Sequence, residues 1–268
     1  MKKKQVIICG TTGVMGNFLL RQFLNKDYCV IGLNKSKNNL KDNNYFEYLC
    51  DFENNKKLEF VLKKIKNKFK DISLLINTVA IEGQTSSAYK GKASSWQQVL
   101  GVNFISNITL IKNLIYVLKK NTASVIFFSG GGANIYPDGI MQRLSQYTCS
   151  KIALIKYTEI LGAEVSLKNK VNFNIIAPGL LPGNIIKRIA RKNNNYLSWK
   201  EKKLFNKLNN SNVDSFDDNY KKIINMIFFI IKNKKISGKI LFSNDNVDKK
   251  NINKFIKKDS YKLRRIIN

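Results

Sequence analysis

Gly10, Gly13 and Gly16 stand at three-residue intervals directly after a short apolar run, Val6 to Cys9, and at the head of an apolar helical pattern. Glycine at such a junction permits a tight turn, lets a ligand approach the backbone, and lets the helix pack closely on the strand. The first turn of the following helix has unpaired N–H groups and a partial positive charge, and both favour phosphate. The stretch Cys9 to Asn17 therefore reads as a strand-to-helix turn shaped for a dinucleotide pyrophosphate. Gly10, Thr12, Gly13, Val14, Met15 and Gly16 are its candidate contacts. The spacing G-x-x-G-x-x-G differs from the basic G-x-G-x-x-G fingerprint, and a plain βα turn is the competing reading. The strand before and the helix after favour the dinucleotide.

The rest of the chain repeats that alternation. Short β-branched runs at Gln5–Cys9, Cys29–Leu33, Tyr45–Cys50, Leu74–Asn77, Ser124–Ser129, Asn172–Ala177 and Lys239–Ser243 predict strands. Helical patterns near Val14–Asn25, Glu53–Phe69, Trp96–Leu118, Gln146–Leu167 and Asn219–Lys232 fall between them. Strand and helix in alternation predict βαβ units, a parallel sheet and an α/β class. The 268 residues fit one such domain, with no long linker or internal repeat. We place the domain at 1–246, with a substrate loop at 180–218 whose Asn/Lys-rich part, Lys192 to Asp218, is a candidate lid. A tail of helical pattern follows at 247–268.

Composition removes several chemistries. The chain has no histidine, which excludes Ser-His-Asp, Cys-His and His-metal sites. Its four cysteines lack C-x-x-C spacing and read as reduced core thiols, so no metal is expected and the expected location is cytoplasmic. No run of about 18 apolar residues predicts a membrane span, and Val6 to Cys9 is too short for a signal peptide. The formal charge of +29 raises the question of nucleic acid. Of the 47 basic residues only six are Arg, however, and the lysines are scattered among Asn and Ile. Phosphate and base recognition favour Arg forks, so no dedicated nucleic-acid site is expected.

Two further patterns carry chemistry. After the second strand an NAD site places Asp or Glu to bind the ribose hydroxyls, whereas this chain has Leu33-Asn34-Lys35-Ser36-Lys37. Asn34 and Lys35 in that place favour NADP, with NAD possible. Tyr147 and Lys151 are spaced i, i+4 at the start of an apolar helix, so the ammonium and the phenol share a face. A neighbouring cation is expected to lower a phenol from its ordinary pKa of about 10 and make it a better general acid or base.

Taken together, Gly10/Gly13/Gly16, Asp51, Asn77-Thr-Val-Ala80, Val102-Asn103, Ser129, Tyr147/Lys151 and Pro178-Gly179 occur in an order that resembles the short-chain dehydrogenase/reductase (SDR) superfamily. The resemblance implies a Rossmann-type, doubly wound sheet of about seven strands in the order 3-2-1-4-5-6-7. It implies that Tyr147 exchanges a proton with the substrate oxygen, that Lys151 binds the nicotinamide ribose, and that Asn103 holds a relay water. It adds Asp51, Phe52, Asn77, Val79, Ala80, Pro178 and Gly179 to the cofactor contacts, and a homodimer or homotetramer acting on a small molecule.

Ser129 takes the substrate-oxygen role, although it lies farther from Tyr147 than the family's serine, with Gly130 where a second serine is usual. An insertion around Asn134 to Leu144 accounts for the extra length. The Ser129-Gly-Gly-Gly run, the Ser237–Ser243 strand and the tail at Leu263 also resemble a bacterial subgroup of surface-polysaccharide pathways, which suggests a sugar or nucleotide-sugar substrate. Two alternatives stay open: an epimerase or dehydratase that retains its NAD(P), suggested by the glycine spacing, and a noncatalytic dinucleotide sensor.

Overall fold

The protein is described from a computed structural model covering residues 3–130, 143–166, 171–179, 217–247 and 252–257, with a few single residues between 181 and 188. Its strands are β1 (Gln5–Cys9), β2 (Cys29–Asn34), β3 (Tyr45–Leu49), β4 (Ile72–Asn77), β5 (Ser124–Phe128), β6 (Asn172–Ala177) and β7 (Lys239–Phe242). They form one parallel sheet ordered β3-β2-β1-β4-β5-β6-β7, the order the resemblance implies. Each anticipated strand is present, with ends moved by no more than two residues.

The sheet is covered on both faces because its strands are apolar on both. In β1, Ile7 and Cys9 face one core and Val6 and Ile8 the other. The first core packs against α2 (Asn55–Lys68), α4 (Ser106–Lys120) and α5 (Ser145–Leu161). The second packs against α1 (Val14–Leu24) and a helix at Asp217–Lys232, here α6. Phe255, on a short helix α7 (Ile252–Lys257), joins this second core. Burial of apolar side chains on both faces is what a parallel sheet requires.

The helix anticipated as Trp96–Leu118 is three pieces. A π-helical turn at Gly101–Ile105 joins α3 (Ala93–Leu100) to α4, and Asn103 sits in that turn. The continuous stretch Ala93–Lys120 is long and apolar enough to cross a membrane by length and composition, but half of its most apolar window is buried in the protein. Leu110, Ile111, Leu114 and Leu118 belong to the first core, so α4 is accounted for as a covering helix. The helix carrying Tyr147 also ends in a π turn, at Gly162–Ser166. The anticipated lid at 192–218 lies outside the described residues apart from its last two, which start α6. Most of the region around 134–144 and the tail from 258 also lie outside them.

Candidate active site

The glycine turn has the geometry its sequence calls for. The Gly10 N–H donates to Leu33 O at 2.8 Å, with Gly10 in the left-handed region at φ +87°. The Gly13 N–H donates back to Gly10 O at 3.0 Å. A Cβ on Gly16 would run into the Gly10 carbonyl, so α1 can lie this close to β1 only with glycine there. A cavity of about 450 Å³ runs along the turn. Gly10, Thr12, Gly13, Val14, Met15, Gly16, Lys35, Asp51, Phe52, Val79 and Ala80 all line it.

Asn34 is not among the lining residues. Its amide donates to Glu47 Oε1 at 2.7 Å and accepts from Thr11 Oγ1 at 3.0 Å. The Tyr45 hydroxyl meets Thr11 Oγ1 at 2.7 Å, and Glu47 also accepts the Asn38 N–H at 2.7 Å. Tyr45 reaches that point by crossing Gly32, where a Cβ would sit 2.6 Å from its hydroxyl. The Asn34 side chain is thus a buried brace beneath the turn. The cause is Glu47, which the β2–β3 pairing places beside Gly32.

Lys35 lines the cavity as anticipated but is not alone. Its ammonium lies 2.9 Å from Asp51 Oδ2 and 3.4 Å from Glu53 Oε1, and the hydrogen bond to Asp51 raises its pKa. The sequence reading of a region without carboxylates is corrected here, because the fold brings two of them over from the end of β3.

Tyr147 and Lys151 do not line this cavity; α5 holds them on one buried face. The Lys151 ammonium donates to Phe128 O at 2.9 Å and lies 5.7 Å from the centre of the Tyr147 ring. Burial pulls this lysine down to about 8. Burial, reinforced by the Glu82 carboxylate, pushes the Tyr147 phenol up to about 12. The expected lowering by the neighbouring cation is therefore reversed, since desolvation of the phenolate outweighs it. The phenol packs on the backbone of Gly130, where a Cβ would collide with its hydroxyl.

Ser129 directly follows β5, its N–H bonded to Ile176 O at 2.9 Å, and its buried Oγ has no hydrogen-bond partner among the described residues. Asn103 is fully buried. Its Oδ1 accepts the Ile81 N–H at 2.8 Å, and its Nδ2 donates to Ile81 O and Ser150 Oγ, both at 2.9 Å. The side chain so ties the segment after β4 to α5. Asn77 ties the same segment to α4, donating to Asn107 Oδ1 at 2.7 Å and accepting the Val79 N–H at 2.9 Å. Pro178 and Gly179 follow β6, with Gly179 at φ +72°.

Sequence reasoning missed Glu53, and it missed Glu82 with Arg188. Glu82 is buried and accepts both Nε and Nη2 of Arg188, at 2.6 and 2.8 Å. The available signal was scarcity: with 18 acidic residues against 47 basic ones, a carboxylate just after a strand end is informative. Among the described residues no group of three or more His, Cys, Asp or Glu could hold a metal.

Residues 4–194 match the profile of a family described as short chain dehydrogenase. Over 158 residues the chain is 24% identical to mouse 15-hydroxyprostaglandin dehydrogenase (NAD+), a match covering 57% of this chain and about half, 54%, of that enzyme. It is 22% identical to 3-oxoacyl-acyl-carrier-protein reductase FabG of Haemophilus influenzae, over 68% of this chain and 75% of the relative. A solved short chain dehydrogenase/reductase from Saccharomyces cerevisiae superposes with a TM-score of 0.75 at 19% identity, covering 94% of this chain and 99% of the other.

Proposed function

Because the chain belongs to the short-chain dehydrogenase family, we propose that it is an NAD(P)-dependent oxidoreductase that reduces a carbonyl, or oxidises the corresponding alcohol, of a small molecule. The observation that carries this is the placement of Tyr147 and Lys151 side by side on one buried face of α5, joined through Asn103 and Ile81 to the wall of the glycine-turn cavity.

A bound nicotinamide supplies or accepts the hydride. The chain's own residues handle the proton. Tyr147, kept neutral well above pH 7 by burial, gives its phenolic proton to the carbonyl oxygen in reduction and takes it back in oxidation. Lys151 stays charged below about pH 8 and stabilises the phenolate formed in that step. The Ser129 hydroxyl, unpartnered among the described residues, donates to the same substrate oxygen. Asn103 holds the geometry by fixing the segment after β4 on α5.

Tyr147→Phe removes only the proton, so it should lower turnover by about a thousandfold or more while leaving cofactor affinity near wild type. Turnover within tenfold of wild type in that variant would refute the role.

For the cofactor we infer a modest preference for NADP(H). Lys35 lines the adenosine end, and no carboxylate ends β2. The preference is modest because Lys35 already shares its charge with Asp51 and Glu53. An exposed lysine is worth up to about 1 kcal/mol here, or about fivefold in affinity for NADPH over NADH. Lys35→Ala should bring the two affinities together, as read by fluorescence titration, and an unchanged ratio would remove Lys35 from the selection.

The polysaccharide-type resemblance supports a sugar or nucleotide-sugar substrate. The glycine spacing supports, as a second reading, chemistry on a cofactor that never leaves. Nucleotide that co-purifies and survives dialysis would select that second reading. Tyr116, Ile152 and Ile160, exposed on α4 and α5, support a homo-oligomer built on those helices.

A further inference from the structure

Glu82 follows β4 and Arg188 follows β6, and in the sheet β5 lies between them. Their ion pair therefore spans the carboxyl end of β5, where Ser129 and Gly130 stand. β4 and β6 are each already paired with β5 along their length, so the sheet does not need this link. The pair has the form of a strong one: both carboxylate oxygens are met by one edge of the guanidinium, at 2.6 and 2.8 Å. The two partners also differ in setting, since the Glu82 side chain is 6% exposed while that of Arg188 is 44% exposed. Arg188 lines the cavity together with Leu181 and Ile185, facing the glycine turn, whereas Glu82 lies behind the wall near the Tyr147 phenol.

A buried carboxylate is costly unless it is paired, and Arg188 meets both Glu82 oxygens. That pairing holds the Arg188 side chain where it lines the cavity. Neither residue transfers a proton in the chemistry above, and neither follows from the motifs that place the cofactor.

We propose that Glu82 and Arg188 are positioning residues for the cofactor: their ion pair holds the wall formed by Leu181, Ile185 and Arg188 against the cleft, and so sets how slowly the dinucleotide leaves. This rests on the dinucleotide reading of the cleft given above. Arg188 acts through its bond to Glu82, so loss of either partner has the same consequence, and loss of both adds little.

The test is stopped-flow release of NADPH from wild type, Glu82→Gln, Arg188→Gln and the double variant. AMP, a probe for the adenosine end alone, is titrated in parallel. Each single variant should release NADPH about tenfold faster or more, the scale on which removing one partner of a buried pair acts. The double variant should be no faster than the quicker single one, and AMP affinity should be unchanged.

Additive rates overturn the proposal, as does an effect of Arg188→Gln without one from Glu82→Gln, which would make Arg188 a direct cofactor ligand. Weakened AMP binding in the single variants overturns it in favour of a fold-wide effect. If Glu82→Gln does not fold, the half-exposed partner still decides. Arg188→Lys keeps the charge but not the fork and should give an intermediate rate, so a wild-type rate refutes the pairing. Wild-type protein that binds AMP but neither dinucleotide refutes the dinucleotide reading itself, and this proposal with it.

Discussion

Beneath the glycine turn, the buried side chains of Thr11 and Asn34 are bonded to each other and to Tyr45 and Glu47. At the tyrosine end, the Ser129 hydroxyl has no partner among the described residues, and the Lys151 ammonium is held by a backbone carbonyl. The first arrangement spends its polar groups on holding a shape. The second keeps polar groups in low dielectric with hydrogen-bonding capacity unspent, which costs stability and leaves them available to a reacting oxygen. Tyr147 and Lys151 pay for their burial in displaced pKa values, toward about 12 and about 8, and displaced values of this kind mark sites that handle protons.

Glycine shows the same contrast. Gly16 and Gly130 both lack room for a Cβ, but the obstacle at Gly16 is the backbone of the turn and at Gly130 it is the Tyr147 phenol. Gly16→Ala should therefore give the largest effect. The helix must move off the strand, at a cost of about 1–3 kcal/mol in stability, and the N–H groups aimed at the pyrophosphate move with it. We expect a lower melting temperature and NADPH affinity reduced by roughly a hundredfold. Wild-type affinity in that variant would break the claim that the turn is a fixed cradle.

Gly130→Ala should come next and act in the other currency. The phenol must shift by about an ångström, which lowers kcat by roughly a hundredfold while NADPH titrates as in wild type. A fall in affinity equal to the fall in kcat would erase the distinction between the two ends.

Ser129→Ala should be the mildest. Because its hydroxyl makes no bond among the described residues, the melting temperature should hold or rise slightly. Turnover should drop by about tenfold or more, from loss of a donor to the substrate oxygen. A destabilised variant with full turnover would mean that the hydroxyl is structural after all.

Much of this was legible in the residues. The strands could be read because parallel strands buried on both faces are short, apolar and β-branched, as in Val6 to Cys9 and Asn172 to Ala177. The glycine turn, Tyr147 and Lys151 could be read because their spacing is local: a turn, and one turn of helix. The π turn at Asn103 could not, since its extra residue per turn leaves no mark in an apolar pattern.

The sequence by itself determined the α/β alternation, the strand-to-helix turn for phosphate, the i, i+4 phenol and ammonium, and the absence of histidine chemistry. Tertiary structure alone decided that Asn34 turns inward to Glu47, that Lys35 meets Asp51 and Glu53, that Glu82 takes Arg188 across β5, and that burial raises Tyr147 rather than its cation lowering it. The physical reason is one of range. Periodicity and turn chemistry act between residues a few positions apart, whereas the partner of a charge and the depth of its burial depend on segments as distant as 82 and 188, which only the assembled sheet brings together.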